Sequence, residues 1–138
     1  MKTLALGALL FLISLPAVET HLATERPRES VSLIQLIATP DKFDGKDVAV
    51  IGFLHLQFEG NELFLHREDY RNGITKNGIW VDLDSALRGD AEKLNNEYVV
   101  LAGTFSATKK GHMGATSGSI LAHSGRVTSS PASQKESR

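Results

Sequence analysis

The chain has no cysteine among its 138 residues, and neither sign of charge dominates it. The missing cysteine excludes a lipid-modified cysteine, structural disulfides and thiol catalysis together. Because 15 lysines and arginines are balanced by 16 aspartates and glutamates, the overall charge does not favour a polyanionic partner such as nucleic acid. Stability has to come from a hydrophobic core.

No apolar run is long enough for a permanent membrane-spanning helix. The longest one, residues 4–15, follows the basic start at Lys2 and ends at Pro16, which is the pattern of a secretory signal peptide. We expect residues 1–17 to be removed by cleavage after Ala17, with Ala23 as the alternative site. The mature chain would then be periplasmic or secreted, without a permanent membrane anchor, and would carry a net charge near −2.

The mature chain of about 120 residues is long enough for one domain but not for two. Residues 18–29 are polar and lack periodicity, so they indicate a spacer. Residues 30–127 hold the predicted domain, and the serine-rich residues 128–138 predict a disordered tail. At the start of the domain, Ser30 is predicted to cap a short helix that Pro40 ends.

Residues 45–66 indicate one long strand, bent at Gly52 and joined to a second strand by a tight hairpin. Leu54, Leu56 and Phe58 alternate with polar residues, so we place all three on the face that points into the core. The first half of this strand is apolar on both faces, whereas its second half is apolar on one face only. Such a strand can contribute to two sheets of a barrel.

Three further strands, the third to fifth of the domain, are predicted from apolar alternation. These strands are residues 79–83, 98–105 and 119–127. A short helix is predicted between the third and fourth strands. A helix at that position is typical of the barrel called the OB fold. The sequence therefore predicts an all-β fold with short helices: a five-stranded OB-like Greek-key barrel preceded by a short N-terminal helix.

Sequence patterns of known catalytic and metal sites are missing. Five histidines are present, but none occurs as His-x-x-x-His, and Gly-x-Ser-x-Gly and Gly-Lys-Ser/Thr are absent. We predict no catalytic residue, no cofactor and no metal site. A metal-dependent hydrolase centred on His66, Asp82 and His112 is kept as one alternative.

Two polar loops form the predicted binding surface. Residues 67–78 contain two Asn-Gly pairs, and the glycine-rich residues 107–118 join the last two strands, where OB domains bind their ligands. The candidate contact residues are Arg67, Tyr70, Trp80, Lys109 and His112. In the first alternative, which ranks ahead of the hydrolase, Trp80, Tyr70 and Lys109 would bind single-stranded nucleic acid or an oligosaccharide, although the balanced charge argues against nucleic acid.

Most of the mature chain resembles small exported bacterial OB-fold proteins of uncharacterised function, of the periplasmic OB-module type. The resemblance is carried by residues 40–46, 58–61, 66–70, 76–80 and 111–114. It implies an OB fold and an exported location, and it assigns no active-site role. We therefore expect a non-catalytic binding or protein-interaction module, with an unknown envelope protein or a small ligand as its partner.

Overall fold

The computed structural model describes residues 28–128. Six strands and three short α-helices make up this part of the chain. The strands are β1 (Glu29–Val31), β2 (Asp47–His55), β3 (Glu62–Phe64), β4 (Gly78–Leu83), β5 (Glu97–Ser106) and β6 (Ser119–Val127); the helices are α1 (Leu33–Ala38), α2 (Arg67–Arg71) and α3 (Ala91–Leu94). No helix within residues 28–128 has the length and apolarity to span a bilayer. The predicted signal peptide, most of the spacer and nearly all of the predicted tail lie outside the described residues.

Five of the strands close into a barrel in the order β2-β3-β4-β6-β5, because β5 also pairs with β2. Strands β4 and β6 run parallel, and the other barrel pairs are antiparallel. The prediction of a five-stranded OB-like barrel is confirmed. The predicted third, fourth and fifth strands agree with β4, β5 and β6 to within one residue at each end.

Strand β2 can serve both sides of the barrel because it changes partners near Gly52. One edge pairs with β5 along residues 47–54, while the other edge pairs first with β1 and then with β3. A Cβ at Gly52 would lie 2.7 Å from the carbonyl oxygen of Phe64 and 2.7 Å from Cγ of Leu63. Only glycine leaves room for this close approach of β3.

The core lies inside the barrel and beneath the short helices, and the predicted inward faces are largely correct. Leu54, Ile79 and Val81 are fully buried, and Leu56 packs against the core at its edge. The placement of Phe58 in the core is wrong, since its side chain is 92% exposed. Strand β2 ends at His55, so the alternation past that residue belongs to a loop rather than to a strand.

The N-terminal segment also differs from the prediction. Ser32, not Ser30, caps α1: its Oγ accepts a hydrogen bond from Gln35 N at 3.1 Å, and Gln35 Oε1 accepts one from Ser32 N at 2.9 Å. Ser30 instead belongs to β1, a three-residue strand that pairs in parallel with β2 and begins at Glu29, the last residue of the predicted spacer. The helix ends before Pro40, as predicted.

An ion-pair cluster ties the start of the described chain to the barrel. Asp47 on β2 contacts Arg28 Nε at 3.3 Å and His123 Nε2 on β6 at 2.9 Å. Burial acts to raise the pKa of Asp47, but the hydrogen bonds and positive charge of His123 and Arg28 outweigh it, so the pKa lies below its ordinary value. The cluster therefore stabilises the ionised carboxylate.

Candidate functional site

One row of side chains crosses the outer face of the barrel. His55 lies opposite Glu62 in the β2–β3 pair, and Glu62 lies opposite Trp80 in the β3–β4 pair. Directly opposed residues share a face of the sheet, and the neighbours of this row, such as Leu63 and Ile79, point into the core. The three side chains therefore stand side by side on the outside.

Trp80 contributes to a pocket of about 410 Å³, which we call the Trp80 pocket. Three parts of the chain form it: the loop of residues 56–61, strand β4, and the loop of residues 107–118. Its lining residues are Glu59, Trp80, Asp82, Lys109, Lys110, Gly111 and His112. These are the strand face and the two loops with which OB folds bind ligands.

The indole of Trp80 is held in place from two sides. Its Nε1 donates a hydrogen bond to Asp82 Oδ1 at 2.9 Å. The backbone of Gly111 packs against the ring, since a Cβ there would lie 2.5 Å from Cε3 of the indole, and the φ of Gly111 is +66°. A side chain at residue 111 would thus clash with the indole and strain the backbone. The loop needs glycine here to cover the ring.

The 107–118 loop is anchored to its surroundings at several points. Thr75 Oγ1 donates to Ala115 O at 3.2 Å, and Ser117 Oγ donates to Lys76 O at 2.9 Å. At the start of the loop, Ala107 N donates to Asp44 Oδ1 at 2.8 Å. The two predicted binding loops therefore lie against each other, and the Trp80 pocket has a fixed wall.

The charges of the Trp80 pocket are mixed. Its lining includes the exposed basic side chains of Lys109, Lys110 and His112 and the acidic side chains of Glu59 and Asp82. Such a pocket can make both donor and acceptor contacts around one aromatic ring, but it is not the basic groove that a polyanion requires.

Arg67 and Tyr70 lie on a different part of the surface from Trp80. The Tyr70 ring stacks on the His55 ring with 3.9 Å between centroids, and the Arg67 guanidinium lies 5.0 Å from the Phe53 ring centroid. With Arg71 and other neighbours they line a separate pocket of about 310 Å³. The predicted residues thus divide into two groups: Lys109 and His112 accompany Trp80, whereas Arg67 and Tyr70 cover an aromatic cluster.

A third pocket, of about 180 Å³, surrounds the middle of the row, and we call it the Glu62 pocket. It is lined by His55, Gln57, Gly60, Glu62, Phe64, Tyr70, Gly73 and Thr75. Glu62 is only 9% exposed. Burial raises the pKa of Glu62, and the nearby His55 acts in the opposite direction.

Sequence reasoning missed Glu62 as a site residue. It directly follows the Glu59-Gly60-Asn61 turn and reads as an ordinary charged residue at the end of a hairpin. The available signal was the hairpin register, which pairs it with the outward-facing His55.

The three residues of the hydrolase alternative do not line one common pocket. Asp82 and His112 line the Trp80 pocket, but His66 does not, and Asp82 is engaged by the indole of Trp80. Between Arg28 and Thr128, no three His, Asp or Glu side chains come together in a way that could hold a metal ion.

No family model and no curated protein sequence matches the chain. A solved structure described as "a putative aspartyl-tRNA synthetase from Leishmania major Friedlin" is similar with a TM-score of 0.46 and 8% sequence identity. The match covers 83% of this chain and 23% of that one. The chain thus spans about a quarter of the length of that structure.

Proposed function

We propose that the chain is an exported, non-catalytic binding module that recognises its ligand in the Trp80 pocket. The observation that carries this proposal is the position of the single tryptophan, which is fixed by Asp82 and Gly111 between two loops on the outer face of the barrel. An aromatic ring with polar groups around it in a preformed concavity is the usual construction of a ligand site. The export part of the proposal is supported by the signal-like pattern of residues 1–17.

A binding role is supported over catalysis by the chemistry of the lining residues. No serine, threonine or cysteine lines the Trp80 pocket, and Lys109 and His112 are exposed side chains without a buried partner to activate them. The pocket offers contacts rather than a nucleophile paired with a base.

An oligosaccharide is the second candidate ligand, and one observation favours it over nucleic acid. Besides its two lysines, the pocket lining contains the carboxylates of Asp82 and Glu59, which accept hydrogen bonds from hydroxyl groups but repel phosphates. Single-stranded nucleic acid would need several stacking rings along a basic groove. The Trp80 pocket contains one aromatic ring besides the His112 imidazole.

The proposal is tested by recovering partners from envelope extracts with two matched double variants. Lys109→Ala/His112→Ala removes exposed side chains of the pocket, and Lys93→Ala/Arg126→Ala removes an exposed pair outside it. Both proteins should keep the far-ultraviolet circular dichroism spectrum of the wild type. Only the first should lose its partner, and equal recovery by all three proteins would contradict the proposal.

A further inference from the structure

Glu62 is a buried acid that the binding site at Trp80 does not use. It is the first residue of β3, it is nine-tenths buried, and it lines a small pocket of its own. Burial of a carboxylate is unfavourable unless hydrogen bonds or an opposite charge compensate for it. The surroundings of Glu62 therefore decide what this pocket can bind.

Within residues 28–128, the Glu62 carboxylate has neither a hydrogen-bond partner nor an ion-pair partner. Its oxygens still contact solvent through the pocket, because no fully buried side-chain oxygen in this part of the chain lacks a hydrogen-bond partner. The three cations of the adjacent 67–78 loop are engaged elsewhere. Arg67 lies over the Phe53 ring, Arg71 pairs with Glu68 at 3.7 Å, and Lys76 Nζ donates to Gly114 O at 3.3 Å.

The cross-strand neighbour His55 is also engaged. Its Nδ1 lies 2.8 Å from Asn96 Oδ1, and its Nε2 lies 3.3 Å from Gln57 Oε1. The Glu62 carboxylate is thus left facing the pocket with acceptor capacity and no donor bound to it.

Aromatic rings form much of the pocket wall. Phe64 and Tyr70 both line it, with 5.8 Å between their ring centroids, and Gly60 and Gly73 add no side chains. A carboxylate in a partly apolar pocket favours an organic cation, because the negative charge attracts the positive group and the apolar wall contacts its alkyl chain. A volume of about 180 Å³ admits a small head group but not a folded chain.

We propose that the Glu62 pocket binds a cationic nitrogen group, a primary ammonium or a guanidinium, carried on a short alkyl chain. The same chemistry is presented by a free small amine and by a lysine or arginine side chain of a peptide. The site is distinct from the Trp80 pocket, although Glu62 and Trp80 are neighbours across β3 and β4.

The test is a titration of the ¹⁵N-labelled protein with n-butylammonium, with n-butanol as a neutral molecule of the same shape. Butylammonium should produce saturable shifts centred on the amides of Glu62, Phe64 and Tyr70, and butanol should not. Glu62→Gln should weaken the binding at least tenfold. Glu92→Gln, which neutralises an exposed acid outside the pocket, should leave it unchanged. Equal binding of butanol, or undiminished binding by Glu62→Gln, would overturn the proposal.

A second arm distinguishes the two sources of the cation. End-blocked Gly-Lys-Gly and Gly-Arg-Gly peptides that shift the same amides as strongly as butylammonium would support a peptide side chain. Binding of butylammonium with exclusion of both peptides would support a free amine, and no binding by any of the three would overturn the proposal. The Trp80 pocket is tested with Lys109→Ala/His112→Ala and the Glu62 pocket with Glu62→Gln. A failure of one proposal can therefore be told apart from a failure of the other.

Discussion

Replacing Glu62 by glutamine should stabilise the domain at neutral pH. Burial raises the pKa of Glu62 above its ordinary value, so folding favours the protonated form. Below the pKa of about 4.5 that Glu62 has in the unfolded state, the carboxyl group is protonated in both states and its contribution to stability is fully present. As the pH rises through the higher pKa of the folded state, the group ionises in its pocket and that contribution is lost. At about pH 7 the wild type keeps an unpaired carboxylate in the fold, whereas the glutamine amide is neutral and of similar size.

The size of the effect depends on how much solvent contact the carboxylate oxygens keep, since the residue as a whole is only 9% exposed. A fully buried, unsatisfied polar group costs about 1–3 kcal/mol. The oxygens of Glu62 keep contact with solvent and His55 attracts the carboxylate, so the cost for Glu62 should be at most the lower end of that range. A gain of about 1 kcal/mol corresponds to a rise in Tm of about 4–8 °C for a domain of this size. His55, Tyr70 and Trp80 face Glu62 from β2, α2 and β4, and none of these side chains brings a negative charge that could account for the raised pKa.

Urea denaturation at about pH 7 and about pH 3.5 measures this directly. Glu62→Gln should be the more stable protein at the higher pH and should match the wild type at the lower one, where both residues are neutral. Glu92→Gln serves as the control for the loss of one negative charge. A Glu62→Gln protein that is less stable than the wild type at neutral pH would refute the reasoning, because the carboxylate would then have a stabilising partner.

Three further predictions concern the core, the ion-pair cluster and the loop. Leu54→Ala should destabilise the domain by about 2–5 kcal/mol, whereas Phe58→Ala should change the free energy of unfolding by less than about 0.5 kcal/mol; equal losses in urea would contradict the assigned faces. Asp47→Asn should cost about 1 kcal/mol at neutral pH and nothing well below pH 3.8, because the lowered pKa means that the stabilisation disappears on acidification; a cost independent of pH would be the contrary result. Gly111→Ala should shift the fluorescence of Trp80 by displacing the loop from the indole, and an unchanged emission spectrum would show that the loop does not cover the ring.

The barrel could be predicted from the sequence because its inward faces repeat with period two. Leu54, Ile79 and Val81 stand at alternating positions within strands, and the pattern of burial follows the pattern of residues. The same rule failed at Phe58, since alternation alone does not mark where a strand ends. Strand β2 ends at His55, and Phe58 lies in the following loop, next to the turn at Glu59 with its φ of +59°, where its side chain is exposed.

Strand β1 could not be predicted because three residues carry no periodic signal. Its conformation depends on pairing with residues 48–50 of β2, which are 19 positions further along the chain. Because Ser30 belongs to β1, the helix cap is Ser32 rather than the predicted Ser30. Both serines suit a cap chemically, but only Ser32 has a glutamine three residues later, with which it forms the capping box, while Ser30 pairs in β1.

The candidate site was predicted only in part. Trp80, Lys109 and His112 come together because the 107–118 loop folds back over β4, as the OB topology leads one to expect. Tyr70 was grouped with them by its residue type, but α2 directs its ring onto His55 instead. The importance of Glu62 depends on burial and on the lack of a nearby donor, and neither property is visible in the order of residues.

The most direct test of the central claim uses the single tryptophan of the chain. Acrylamide quenching of Trp80 fluorescence should be measured on the purified protein alone and after saturation with the partner fraction recovered from envelope extract. If the Trp80 pocket is the binding site, the bound fraction should shield the half-buried indole, and the quenching constant should fall severalfold. An unchanged quenching constant at saturation would place the partner elsewhere and contradict the account.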